Sequence, residues 1–373
     1  MNIKILTFHR ANNHGATLQS FALKNTIQKL GYNAEFIDYW SFDHQGDYQL
    51  IPKFRRSSWR SLVTGVIQFF FKVLPITLRR GRFNSFRKQY LIKDDFVIRH
   101  KEELKEVSCD LIILGSDQIW RKSNYNGQNQ FEWEYFGDSF NREIPIISYA
   151  ASMGVIKVTK DDIQNILKHL KRLKSISVRE ANLKQLLIEN GHQEVTRVLD
   201  PCLLISEKEW VNRFNLKSKS KKYVLVYNLR ESSKIDEVAS RLSKSLGIQI
   251  VRITGNANNW NYLNYLEQGG GPIEFLSLIK NAEFVVSSSF HGVVFSIVFE
   301  KQFLALGMEP NSERVTSLLE EIGIKERYLD NDGVDAKSVE SYLEKINYLL
   351  VKNKLNIKID ESLDFLRSEL EEI

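Results

Sequence analysis

The 373-residue sequence predicts an α/β protein of two Rossmann-like, doubly wound domains, residues 1–205 and 206–373, the second ending in a helical tail. Three observations predict it. The first is Phe284–Leu306, FVVSSSFHGVVFSIVFEKQFLAL: an apolar strand, three serines, Phe-His-Gly, an apolar helix over Val293–Phe299, a two-residue break and a second strand. Strand, helix and strand make a βαβ unit whose strands run parallel. The second is the opening of the chain, where a strand over Lys4–Phe8 leads through a polar loop into a helix over Ala16–Leu30 and, after Gly31, a strand over Ala34–Tyr39. The third is the restart of this pattern after the lysine-rich run LKSKSKK at 216–222, within a boundary expected at Ser206–Lys222.

The remaining elements follow in order. Asp110–Leu114, Pro145–Ala150 and Ser175–Val178 read as buried strands, with helices over Asp161–Leu173 and from Arg179 to Asn190. In the second half, strands over Tyr223–Asn228 and Ile248–Ile253 flank a helix over Lys234–Leu246. Helices over Pro272–Ile279 and Arg314–Ile322 bracket the βαβ unit. The last sixty or so residues, rich in Leu, Lys and Glu, are expected to be mainly helical.

A hydrophobic content of 43% and a charged content of 26% are those of a soluble globular protein. Two distant cysteines, Cys109 and Cys202, suggest neither a disulfide framework nor a zinc site, and a reducing cytoplasm fits. The chain enters a strand at once, which argues against a secretory signal. The absence of G-x-G-x-x-G in the first βαβ unit argues against a dinucleotide cofactor. The net charge of +6 is local: residues 53–88 hold ten Lys or Arg and no acid, so the rest sums to about −4. This insertion is amphipathic, with an apolar centre at Ser61–Leu78 that Lys72 and Pro75 interrupt. It suits a helix lying on an anionic membrane surface, or a helical hairpin packed on the core with basic ends in solvent.

Ligands of parallel sheets bind outside the carboxyl ends of the strands. Ser287–Ser289, His291 and Gly292 fall at such an end, where small residues and a helix N-terminus favour an anion; a loop with an N-cap serine and a hydrogen-bonded histidine is the plainer alternative. Gly115–Trp120, GSDQIW, falls at another. Its Asp117 suits a general acid or base or a sugar ligand, and equally an N-cap or Asx-turn. Arg179 falls at a third, where it can grip a phosphate or carboxylate, or pair with Glu180. Two facing domains would bring His9, His14, Asp117 and Arg179 from one wall of a cleft toward Arg230, Arg252 and His291 on the other.

Seven blocks in order together resemble the polysaccharide pyruvyl transferase family: Thr7–Leu23, Ile113–Trp120, Ser148–Gly154, SVRE at Ser177–Glu180, LDPCLL at Leu199–Leu204, Ser288–Phe303 and Glu313–Ile324. The resemblance covers most of the chain, least in 53–88 and the tail. It implies a GT-B-like fold and transfer of the pyruvyl unit of phosphoenolpyruvate to two hydroxyls of one sugar, giving a cyclic ketal on a surface glycan or its precursor. The acceptor is often still on a polyprenyl diphosphate carrier, which would place the enzyme at the cytoplasmic face of the membrane through 53–88. By motif, the resemblance points to His291 and Arg179 as catalytic residues. The chemistry adds Asp117 as a base toward a sugar hydroxyl, and Ser116, Gln118, Asn13, His14, Gly15, Arg230, Ser288, Ser289 and Gly292 as substrate-binding. Neither a metal nor a cofactor is expected beyond the donor substrate. The rival readings are a GT-B glycosyltransferase using a nucleotide sugar and a non-catalytic, membrane-docked glycan-binding adaptor.

Overall fold

The computed structural model describes residues 1–40, 75–92, 97–125, 128–229, 232–254, 269–306, 312–330 and 339–373. Most of the basic insertion, and Arg230, lie outside the described residues. The first half forms a parallel sheet in the order β2-β1-β3-β6-β7-β8: β1 (Asn2–Leu6), β2 (Asn33–Phe36), β3 (Leu111–Leu114), β6 (Ile146–Ala151), β7 (Ser175–Val178) and β8 (Val195–Arg197). A small antiparallel hairpin, β4 (Ser123–Tyr125) with β5 (Gln128–Gln130), stands apart from it. The second half forms a parallel sheet in the order β10-β9-β11-β12-β13: β9 (Tyr223–Asn228), β10 (Gln249–Thr254), β11 (Phe284–Ser287), β12 (Gln302–Leu306) and β13 (Tyr328–Leu329). In each sheet the chain steps one way and then reverses, at β1/β3 and at β9/β11. Such switch points open a crevice at the strands' carboxyl ends. The fold is therefore two Rossmann-like units of doubly wound type.

The central strands are continuous apolar runs because helices cover both faces. LIIL of β3, IISYAA of β6 and YVLVYN of β9 are buried at every position. The helices are α1 (His14–Lys29), α2 (75–86), α3 (Lys160–Leu170), α4 (Ala181–Glu189), α5 (Glu207–Phe214), α6 (Ser233–Leu246), α7 (Pro272–Asn281), α8 (Phe290–Val298), α9 (Glu313–Glu321) and α10 (Tyr348–Glu371). Helix α1 is buried along most of its length because it is wedged between the halves, touching the helical turns Arg87–Leu91 and Pro201–Leu204 as well as α7 and α8.

Within the expected boundary Ser206–Lys222, Ser206 and Glu209 form a capping box that starts α5. Its Trp210 and Phe214 then pack against Phe21 of the first half, Phe214 also against Phe86, and Trp210 meets Phe295 of the second. The helix of the βαβ unit begins at Phe290, three residues earlier than expected, because Ser289 is extended (φ −119°, ψ 134°) and takes the N-cap position. His291 and Gly292 thus belong to its first turn.

The described part of the basic insertion packs on the protein. Arg79 donates to the Thr254 carbonyl (2.9 Å), Arg82 to the Gly269 carbonyl (3.0 Å), and Arg87 to the Arg10 carbonyl and Asn12 Oδ1 (2.9 and 3.0 Å). Among the described residues no helix is long and apolar enough to cross a membrane.

Candidate active site

Strands β7 and β8 are parallel neighbours, with Val178 opposite Arg197, so the residues just beyond them come side by side. Arg179 follows β7 and Asp200 lies just past β8. Arg179 Nη1 donates to Asp200 Oδ2 at 2.5 Å, with both side chains buried. Asp200 also caps the turn Pro201–Leu204, where Oδ1 accepts from the Cys202 N–H (3.0 Å). From the other half, His291 Nε2 comes within 3.4 Å of Asp200 Oδ2, an ion-pair distance. One carboxylate thus joins a guanidinium and an imidazole supplied by opposite halves.

The imidazole fits there because position 15 has no side chain. A Cβ on Gly15 would lie 2.1 Å from His291 Nδ1. The first turns of α1 and α8 therefore meet through glycine and histidine. Phe290 receives two guanidinium groups: Arg179 Cζ is 4.7 Å from its ring centroid and Arg314 Cζ, from the first turn of α9, is 5.3 Å. With the Gln118 amide oxygen turned toward it, Arg314 donates from Nη1 and Nη2 at 2.9 and 2.6 Å.

Charge in this cluster is strongly coupled. Burial pushes the Asp200 carboxyl up, but His291, Arg179 and the Cys202 N–H outweigh it and hold it well below the usual range. Burial would lower Arg179, yet Asp200, Glu180 and Asp117 raise it. Burial first and Arg179 second push Arg314 down to about 10. Glu180, buried and bonded to the Ser152 hydroxyl, is raised by desolvation. Among the described residues, Arg179 Nε and Nη2, Arg314 Nε and His291 Nε2 are buried atoms with no hydrogen-bond partner. Buried donors are normally satisfied, so this concentration points to an anionic ligand. A cavity of about 500 Å³ opens onto Arg179, Asp200, Phe290 and Arg314, with Lys358 and Ser362 of α10 also in its wall. Cavities of about 430 Å³ beside β2 and 640 Å³ between α9 and α10 lack these groups.

Asp200, Cys202 and His291 offer ligand atoms within 4.8 Å of one another, a donor set that a divalent ion could use. Two features oppose it. Arg179 already sits on Asp200 Oδ2, and burial followed by Asp200 raises the Cys202 thiol, keeping it protonated.

A sequence model described as polysaccharide pyruvyl transferase matches residues 13–310. The chain belongs to this family. No curated protein matches it. Among solved structures, it is similar to a Listeria monocytogenes protein provisionally named a UDP-N-acetylglucosamine 2-epimerase (10% identity, 97% and 90% of the two chains, TM-score 0.50). It is also similar to the Neisseria meningitidis UDP-GlcNAc 2-epimerase bound to UDP-GlcNAc (13%, 100% of both, 0.49) and an E. coli heptosyltransferase with ADP (9%, 92% and 98%, 0.36). The first of these likenesses, at a TM-score of 0.50, concerns the fold alone, which is GT-B-like.

The expected site residues divide. His291 and Arg179 come together on Asp200. Asp117 is near them: its Oδ1 lies 3.9 Å from Arg179 Nη2 and accepts from the Gln118 N–H (2.8 Å), while its backbone takes φ 84°. Ser116 is buried, its hydroxyl without a partner among the described residues, and Gln118 holds Arg314. Asn13 instead caps α1 through Ala16 N–H. His14 is buried between the halves, its Nε2–H donating to the Gly270 carbonyl (3.0 Å) and its Nδ1 accepting from Arg79 (3.2 Å), so the ring has no atom left for a substrate.

In the serine loop, expected to favour an anion, the Ser288 and Ser289 N–H groups are already engaged. Ser288 N–H donates to the Tyr227 carbonyl (3.1 Å) and Ser289 N–H to Ser287 Oγ (3.0 Å), and Ser288 Oγ accepts from Leu229 N–H. Gly292 is small for packing, since a Cβ there would lie 2.1 Å from Ser287 Oγ. His9 is held by Asp38 (2.9 Å) and Arg252 by Asp236, both away from the cluster. Sequence reasoning missed Asp200 and Arg314, although both stand inside family-like blocks. A charged residue just past a strand's carboxyl end, or in the first turn of the helix that follows, was the available signal.

Proposed function

We propose that the chain transfers the pyruvyl unit of phosphoenolpyruvate to two hydroxyls of one sugar of a surface glycan or its precursor. The observation that carries this reading is the pair of guanidinium groups, Arg179 and Arg314, which line one cavity and keep unpartnered N–H donors, with His291 next to them on the Asp200 carboxylate. A donor bearing both a phosphate and a carboxylate suits two cations. In the reaction the methylene carbon takes a proton and C2 becomes cationic. One sugar hydroxyl adds to C2, the C2–O bond to phosphate breaks, and the second hydroxyl adds. Of the two hydroxyl protons, one ends on the new methyl group and one on phosphate. His291 carries a proton on this route or pairs with the phosphate, Arg179 and Arg314 hold the donor's anionic groups, and Asp117 faces the acceptor. Asp200 positions Arg179 and His291 without touching the donor.

The test combines binding and turnover. Phosphoenolpyruvate should raise the Tm of the wild type and of His291→Ala, and fail to raise that of Arg314→Ala. Turnover of His291→Ala, followed as phosphate release with a glycan acceptor, should fall by about 10²- to 10⁴-fold. If nucleotide sugars raised the Tm and phosphoenolpyruvate did not, the glycosyltransferase reading would replace this one.

A further inference from the structure

The carboxy-terminal helix carries a surface that the site does not use. On α10, Leu349, Leu350 and Ile357 are 71%, 59% and 60% exposed, whereas Val351, Leu355, Leu366 and Leu370 face the core. At roughly 100° per residue, Leu349, Leu350, Asn353 and Ile357 share one arc of about 100°, with Lys352 on one side of it and Lys354 and Lys358 on the other. From Lys345 to Ile359 there are four lysines and no acid; from Asp360 to Glu372 there are six acids and one arginine. A basic beginning and an acidic end run against the helix dipole, so helix stability does not account for this polarity. The acidic end has a structural use, since Glu369 and Glu372 pair with Lys174 of the first half. At the basic end, Lys352 pairs with Glu300 and Lys358 with Glu361.

We propose that the amino-terminal half of α10 docks on an anionic lipid bilayer, with Leu349, Leu350 and Ile357 entering the interface and the flanking lysines on the headgroups. An apolar arc edged by lysines is the pattern of a helix that lies in a membrane interface. A second copy of the chain is a poorer occupant, because the same lysines would face one another across the contact. Lys358 and Ser362, which line the cavity that opens onto Arg179 and Asp200, lie on the other side of α10 from this arc, so the docking is argued independently of the proposed function.

The test uses the full chain and vesicles of phosphatidylcholine alone or with about one third phosphatidylglycerol, read by flotation. Wild type should float with the anionic vesicles, stay behind with the neutral ones, and detach at about 0.5 M salt. Leu349→Glu/Ile357→Glu and Lys345→Gln/Lys354→Gln should each lower vesicle partitioning about tenfold or more, with Tm unchanged because these side chains are exposed. The proposal fails if wild type does not float with anionic vesicles, or if both variants float as well as wild type. It also fails if wild type sediments as a dimer that Leu349→Glu/Ile357→Glu splits, since a second copy would then cover the face. Phosphate release from phosphoenolpyruvate is not needed for any of these readouts, so a failed docking and a failed pyruvyl-transfer reading remain distinct.

Discussion

Asp200 is the residue on which the site turns. Its Oδ2 takes the Arg179 guanidinium at 2.5 Å and lies 3.4 Å from His291, while Oδ1 caps the following turn. Removing one partner of a buried ion pair leaves the other charge uncompensated, which costs far more than the pair is worth in isolation. Asp200→Asn should therefore lower the unfolding free energy by about 3–5 kcal/mol in urea titrations, and it should raise the KM for phosphoenolpyruvate because Arg179 loses its anchor. Arg314 shows the complementary case. Its partners are a neutral amide and an aromatic face, and burial beside Arg179 weakens its hold on its proton. On the proposed reading, a bound dianion would relieve that repulsion.

Among the elements, the first turns of α1 and α8 define the contact between the halves at the chemistry. Gly15→Ala would place a methyl group 2.1 Å from His291 Nδ1, closer than any real contact, so the imidazole has to move. Misplacement of about 1 Å is worth about 100-fold in rate, and kcat of Gly15→Ala should fall by at least that much. Gly81→Ala is the control. It lies in α2 with no atom within 4 Å of a new Cβ, so it should raise stability by about 0.4–1 kcal/mol and leave kcat alone.

For the whole molecule, the joint between the halves is itself titratable. His14 stacks on Phe275 (4.7 Å) and is bonded to Gly270 and Arg79. Burial first and Arg79 second hold its pKa well below the usual value, and the carbonyl bond only partly opposes them. The sign follows from that direction. As pH falls through about 6.5 the unfolded chain takes up a proton that the folded chain refuses, so stability is lost at up to about 1.4 kcal/mol per pH unit. Urea unfolding at pH 7.5, 6.5 and 5.5 should show this loss in the wild type and a shallower one in His14→Gln. Equal slopes would remove His14 from the account.

Strand and helix periodicity, the parallel connections and the placement of loops at strand ends were all legible in the sequence, because apolar spacing and glycine stops act over a few residues. Tyr223–Asn228 and Gln302–Leu306 were read to the residue. His291 and Arg179 could be named because both stand at the carboxyl ends of strands. Only the tertiary structure decided that Asp200 joins them, that Gly15 leaves room for the imidazole, that Arg314 is the second guanidinium, and that His14 belongs to the joint between the halves. Each of these depends on side chains from distant segments meeting in a low-dielectric interior, where packing and mutual charge decide a residue's role and neighbouring sequence does not record it.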